Sequence, residues 1–192
     1  MKLGYLWLFF AIGGSAIAQQ HIDLAALRDR CLPEAPMSTL AAVVQTESAG
    51  NPNAVQIDFP KTVLRRWHMR PGSLRLARQP KDNTEAWAWV TYLASYDVFT
   101  DIGLMQVSTA ETQRRRIEPT SLLDPCTNIR VGWQILQEDY AIEAHRYGEG
   151  QIALEHALSR YNTGNSEAGI DNGYYARVQK ALAGLSRQQQ QR

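Results

Sequence analysis

From residue 21 onward, apolar side chains recur at three- and four-residue spacing in one segment after another, and no stretch sustains the two-residue alternation of a half-buried strand. This period constrains the fold more than any other feature, because a helix with one apolar stripe buries it mainly against other helices. Residues 21–31 set Ile22, Leu24 and Leu27 near one face, and Pro33 and Pro36 then break the run. A second helix is expected over 37–48 with Ser38 as its N-cap, a third from Asn83, and a fourth from Ser108. The longest runs over 127–147, with Thr127 as cap and Ile129, Gly132, Trp133, Leu136 and Tyr140 as its inward stripe. Segments 151–162 and 174–185 complete the set. The expectation is a mainly α single domain, and 192 residues with 44% hydrophobic content suffice for one core.

Residues 49–83 depart from this pattern. They hold several prolines and glycines and follow no clear period, yet their aromatic and aliphatic side chains argue against disorder. We read this irregular segment as an ordered groove wall with room for a short hairpin. Its basic residues (Lys61, Arg65, Arg66, Arg70, Arg75 and Arg78) suit either an anionic polymer or a solvated face, and the solvated face is the weightier reading. The same holds for Arg114 to Arg116.

The first residues stand apart from the fold. Lys2, an apolar run from Leu6 to Ile12, and Ala16-Ile17-Ala18 before Gln19 form the pattern of a cleaved secretory signal peptide over 1–18. The run is short for a membrane span, so no stable membrane insertion is expected after cleavage. Export makes a single disulfide between Cys31 and Cys126 the favoured reading over two buried thiols. Residues 19–183 form the expected domain, and 184–192, with their run of glutamines, a disordered polar tail. The formal net charge of +1 speaks against a nucleic-acid partner. The four histidines are scattered without ligand spacing, so no metal and no cofactor are expected.

One carboxyl stands out. Leu40, Val43 and Val44 lie seven, four and three residues before Glu47, which places Glu47 on the apolar stripe at the end of its helix. Desolvation and the helix C-terminus both disfavour the anion, so its pKa is expected to rise into the range of a general acid. The alternative is a surface glutamate at a frayed end, and position alone does not decide between them. The stretch from Asp101 to Ser108 has no period; Gly103 permits a close backbone approach, and Met105 and Gln106 offer an apolar contact and an amide. Tyr161 and Asn162 end a helix with side chains suited to sugar stacking and hydrogen bonding. Tyr174 and Val178 share a helical face, from which Tyr174 either donates to Glu47 or merely packs.

Taken in order, Glu47-Ser48, Gly103-Leu104-Met105-Gln106, Tyr161-Asn162 and Tyr174 with Val178 resemble the motifs of soluble lytic transglycosylases. The exported form and the stretches around Cys31, Cys126 and Tyr161 look most like the small specialised members that serve type IV secretion and conjugation machines. The resemblance implies a lysozyme-like, mainly helical fold. It also implies cleavage of the β-1,4 bond between N-acetylmuramic acid and N-acetylglucosamine in periplasmic peptidoglycan strands, with secretion or conjugation proteins as partners. By the same resemblance Glu47 is the catalytic acid and base, and Ser48 contacts substrate or steadies the glutamate. Met105 and Gln106 line sugar subsites, Tyr161 and Asn162 bind acetamido sugars, Tyr174 orients Glu47, and Cys31 with Cys126 match the bridge of the secretion-associated group. Arg160 departs from the family pattern, which often has a small residue before the Tyr-Asn pair. Two alternatives stay open. A hydrolytic lysozyme would want a second carboxylate, for which Asp101 is nearest, although here it is read as a loop cap. A non-catalytic peptidoglycan-binding assembly protein would use the basic segment and the polar tail as docking surfaces.

Overall fold

The computed structural model describes residues 22–58, His68 and residues 76–190. The expected signal peptide over 1–18 and the basic residues at 61, 65, 66, 70 and 75 lie outside the described residues. Helix α1 (Leu24–Cys31) opens where the Asp23 carboxylate accepts the Ala26 N–H at 3.0 Å. Helix α2 (Met37–Ser48) starts one residue after Pro36, so Pro36 stands at the N-cap position rather than the expected Ser38. Proline fixes φ just where the chain must turn into the helix, and it lacks only an N–H that no helix would use. Helix α3 (Asn83–Ala94) is capped by Asp82, and helix α4 (Thr109–Arg115) by Ser108. A short 3₁₀ turn over Pro119–Leu123 leads to helix α5 (Pro125–Tyr147), which starts earlier than expected. Asp124 caps it, accepting from both the N–H and the hydroxyl of Thr127 at 2.8 Å. Helices α6 (Gln151–Thr163), α7 (Ala168–Asp171) and α8 (Tyr174–Gln190) follow. The expected polar tail is helical as far as Gln190, and Leu185 packs against the core.

Three short strands form a small antiparallel sheet that the sequence pattern does not reveal. Strand β1 (Val55–Asp58) pairs with β2 (Phe99–Ile102), which pairs in turn with β3 (Val107–Ser108). Runs this short carry too little alternation to register, and β1 finds its partner more than forty residues later. Alternation does decide the faces. Thr100, Ile102 and Val107 turn inward and are buried, while the register sets Gln56 opposite Asp101 and Asp101 opposite Ser108 on the other face. The Gln79 side chain completes the outer edge of β1. Its amide donates to Val55 O at 3.1 Å and its carbonyl accepts the Val55 N–H at 2.9 Å, as a neighbouring strand would.

The core gathers Leu40, Val43 and Val44 of α2, Ile102, Leu104 and Met105 around β2, Leu122, Ile129 of α5, Leu158 of α6 and Tyr174 of α8. Cys31 and Cys126 form a disulfide that ties α1 to the first turn of α5 across 95 residues of sequence. Arg130 adds a hydrogen bond from its Nε to Cys31 O at 2.7 Å. Among the described residues no helix is long and apolar enough to cross a membrane.

Candidate active site

Helix α2 ends at Ala49, whose positive φ of 53° and the following Gly50 at 79° turn the chain out of the helix. Glu47 therefore sits in the last turn, half-buried, at the head of the stripe formed by Leu40, Val43 and Val44. Two groups of α8 meet it. The Tyr174 hydroxyl donates to Glu47 Oε1 at 2.5 Å, and Tyr174 is itself 1% exposed. The Arg177 guanidinium lies 5.6 Å from the centre of the Tyr174 ring and within electrostatic range of the carboxyl. Burial pushes the Glu47 carboxyl up to about 7, against the opposing pull of the Tyr174 hydrogen bond and the Arg177 charge.

The turn from Gly103 to Gln106 is held from four sides. Gly103 has φ of +75° and donates its N–H to Ala54 O at 2.8 Å. A Cβ there would stand 2.4 Å from Asn128 Nδ2, so only glycine fits both the dihedral and the space. Asn128, 1% exposed, gives its amide to Ile102 O at 2.7 Å and Leu122 O at 2.9 Å and accepts the Met105 N–H at 2.8 Å. The Tyr161 hydroxyl donates to Met105 O at 2.7 Å. From α2, the Ser48 hydroxyl reaches Leu104 O at 2.8 Å and Val44 O at 3.2 Å. Ser48 thus links α2 to the turn.

These positions sort the expected site residues. Met105 is fully buried and props the turn on Gly132 of α5, where any Cβ would press against it at 2.7 Å. Its side chain lies beneath the turn, outside the groove lining. Gln106 does face it, with a positive φ of 47° and its amide on Gly103 O at 2.9 Å and Ala54 O at 3.3 Å. Tyr161 is half-buried behind the turn, while Asn162 is exposed and accepts from Asn172 Nδ2 at 3.1 Å. Asn172 in turn accepts the Tyr174 N–H at 2.9 Å, so the Asn162 end of α6 and the start of α8 are linked beside Glu47. Arg160 points to α5, where its Nε donates to the fully buried Glu143 carboxylate at 2.9 Å and lies 4.0 Å from Asp139. Its unusual size is thus absorbed between two helices.

Asp101 stands on strand β2 rather than capping the loop. Burial pushes its carboxyl up to about 8, with added repulsion from Asp58 and Glu47, while a hydrogen bond from Ser108 lowers it. A groove of about 570 Å³ opens beside Glu47, lined by α2 from Gln45, by Asn51, Asn53, Ala54 and Gln56, by Arg78 to Lys81, and by Gln106. Two parts of the irregular 49–83 segment thus form its wall, at 49–56 and 78–81. Among the described residues no cluster of His, Cys, Asp and Glu has metal-binding geometry. Three contributors went unseen in the sequence: Asn128, Arg177 and Gln79. Asn128 had a visible signal, since it lies four residues before Gly132 on the inward stripe of α5, where a polar side chain must find partners.

The Transglycosylase SLT domain pattern matches residues 28–182, most of the chain. The chain belongs to the transglycosylase SLT domain family. The matched span of this SLT-domain chain reaches from α1 into α8 and includes Glu47, the Gly103–Gln106 turn, Tyr161, Tyr174 and Val178. It is 30% identical over 156 residues to "Protein virB1" of Rhizobium radiobacter, covering 81% of this chain and 59% of that one. It is 29% identical over 165 residues to "Type IV secretion system protein virB1" of Brucella abortus, covering 84% of this chain and 63% of the relative. The match therefore spans only about three fifths of these relatives' length. No solved structure matches.

Proposed function

We propose that this chain is a peptidoglycan lytic transglycosylase that opens the cell wall locally for a type IV secretion or conjugation apparatus. The observation that carries the reading is the Glu47 carboxyl, held by Tyr174 at 2.5 Å beside an open groove and poised between its two protonation states near neutral pH. In the first step protonated Glu47 gives its proton to the glycosidic oxygen as the bond to the muramoyl anomeric carbon breaks. The substrate's own acetamido group assists at that carbon. In the second step the Glu47 carboxylate takes the proton of the muramoyl 6-hydroxyl while that oxygen bonds to the anomeric carbon. A 1,6-anhydro ring results, no water is consumed, and Glu47 ends protonated as it began. Tyr174 holds the carboxyl in place through both steps. Gln106 and the amides of Asn51, Asn53 and Gln56 supply hydrogen bonds to sugar groups along the groove. The leader pattern over 1–18 and the disulfide support action in the periplasm.

The test is digestion of purified peptidoglycan with mass analysis of the products. Wild-type protein is expected to release anhydromuramoyl fragments, and Glu47→Gln none. One observation favours a second reading. Asp101 lies within electrostatic range of Glu47, where a hydrolase would keep a second carboxyl. Reducing-end muramic acid among the products, lost in Asp101→Asn, would put a lysozyme in place of the transglycosylase. At neutral pH, however, burial holds Asp101 protonated, which is the wrong form for a base or a nucleophile.

A further inference from the structure

Two cations line the groove on the side of residues 78–81, and their surroundings differ. Arg78 is a closed pair: its Nη1 and Nη2 donate to the two oxygens of Glu85 at 2.9 and 2.7 Å. The Lys81 N–H donates to the same carboxylate at 2.9 Å, so Glu85 already accepts three donors. Asp82 is occupied as the cap of α3, accepting the Glu85 N–H at 2.9 Å. Among the described residues no salt bridge reaches the Lys81 ammonium. On its N-terminal side residues 59–81 hold seven Lys or Arg and no Asp or Glu, so the carboxylates nearest in sequence are Asp82 and Glu85. Lys81 is exposed, and the groove beside it presents the neutral amides of Asn51, Asn53, Gln56 and Gln106. The Glu85 carboxylate feels the Lys81 charge but forms its ion pair with Arg78, and an ammonium without an ion pair of its own beside neutral hydrogen-bonding groups suits a ligand that is mostly neutral and polar but carries one anionic arm.

A muramoyl sugar has that form. Its 3-O-lactyl arm ends either in a free carboxylate or in a peptide that bears carboxylates, whereas N-acetylglucosamine has a plain hydroxyl at the same carbon. We propose that Lys81 reads the anionic lactyl arm of the muramoyl residue and so separates peptidoglycan from uncharged N-acetylglucosamine polymers. This inference rests on the peptidoglycan reading above. An exposed ion pair of this kind changes affinity by only a few-fold, and salt weakens it.

The experiment measures binding to the Glu47→Gln protein, so that no ligand is consumed. Three probes of equal length are used: peptide-bearing glycan strands, strands stripped of peptide by an amidase, and N-acetylglucosamine oligomers. At least one anionic probe is expected to bind about threefold tighter than the neutral one at low salt, and Lys81→Glu to bring that ratio to one or below. Preference for the peptide-bearing strand alone assigns the contact to the peptide acids; preference for the stripped strand alone assigns it to the free lactyl carboxylate, and preference for both shows that either acid at the end of the arm serves. A ratio that Lys81→Glu leaves unchanged, or a neutral oligomer bound as tightly as both strands, overturns the inference and leaves the transglycosylase reading standing. Failure of the wild-type protein to form anhydro products overturns that reading separately, and absence of binding to all three probes overturns both.

Discussion

At Glu47 opposing effects meet: burial favours the neutral acid, while the Tyr174 hydroxyl and the Arg177 charge favour the anion. Burial wins, and the consequence for stability has a definite sign. The folded carboxyl titrates at about 7 against an ordinary 4.5, so the folded state holds a proton that the unfolded state has lost. Stability therefore falls as pH rises from about 4.5 to 7 and stays reduced above that. The loss is on the order of 3 kcal/mol. Glutamine cannot ionise, so the Glu47→Gln protein should gain stability over wild type as pH rises through this window and match it near pH 4. Paired thermal melts from pH 4 to 8 check this, and equal differences at every pH would refute it. Tyr174 makes the complementary case. Its hydrogen bond stabilises the carboxylate, so Tyr174→Phe raises the Glu47 pKa further. The alkaline limb of kcat/KM, set by loss of the acid near pH 7, should move to higher pH in that variant while the rate below it drops. A role in packing alone would lower activity without moving the limb. Three apolar neighbours on one helical face made Glu47 a candidate in the sequence, and the ordered motifs that follow it, not its position alone, carried the reading. Asp101 was harder to read, since a loop cap and a strand residue look alike when the strand is only four residues long.

The elements behave differently from one another. The longer helices were legible because they carry a sustained stripe, and α1, α3, α4 and α5 have a capping side chain as well, whereas the four-residue α7 is too short to show a period. The sheet was not, and the cause is physical. Strand β1 is specified by a partner at residues 99–102 and by the Gln79 side chain, neither of which leaves a local period. Gln79 is the part of the irregular segment that brings the wall to the groove, yet its only trace in sequence is an amide before a proline. The Gly103–Gln106 turn is a third case. Its glycine was readable, but the turn is fixed by Asn128 on α5, which satisfies three buried backbone groups at once. Asn128→Ala would leave the Met105 N–H and two carbonyls without that partner. The expected cost is about 2–4 kcal/mol, with activity falling further than stability because Leu104 and Gln106 lose their placement beside α2. Denaturant melts and the peptidoglycan digest check the two parts. A cost below about 0.5 kcal/mol would mean that water replaces the side chain and that the turn holds itself.

At the scale of the whole molecule, the groove lies where a helical body and a small sheet meet, and the disulfide stands on α1 and α5, outside the groove lining. That separation makes stability and chemistry testable apart. Cys31 and Cys126 close a loop of 95 residues, long enough for the chain-entropy account to assign the bridge about 4–5 kcal/mol. The stabilisation acts on the unfolded chain, so it does not depend on contacts with the site. For a domain of this size such a loss lowers Tm by on the order of 10 °C or more. A stability margin of about 5–15 kcal/mol is typical, so the bridge would represent a large share of it. A bridge of that weight would favour folding in an oxidising compartment, in keeping with the leader pattern over 1–18. The Cys31→Ser/Cys126→Ser protein, and equally the reduced wild type, should therefore melt at least about 10 °C lower while its folded fraction at low temperature cuts peptidoglycan at nearly the wild-type rate. Melts in the presence and absence of reductant, with digestion measured well below both transitions, separate the two quantities. A small change in Tm would show that α1 is held to α5 by packing and by the Arg130 hydrogen bond instead. A proportionate loss of rate would show that the bridge shapes the groove after all.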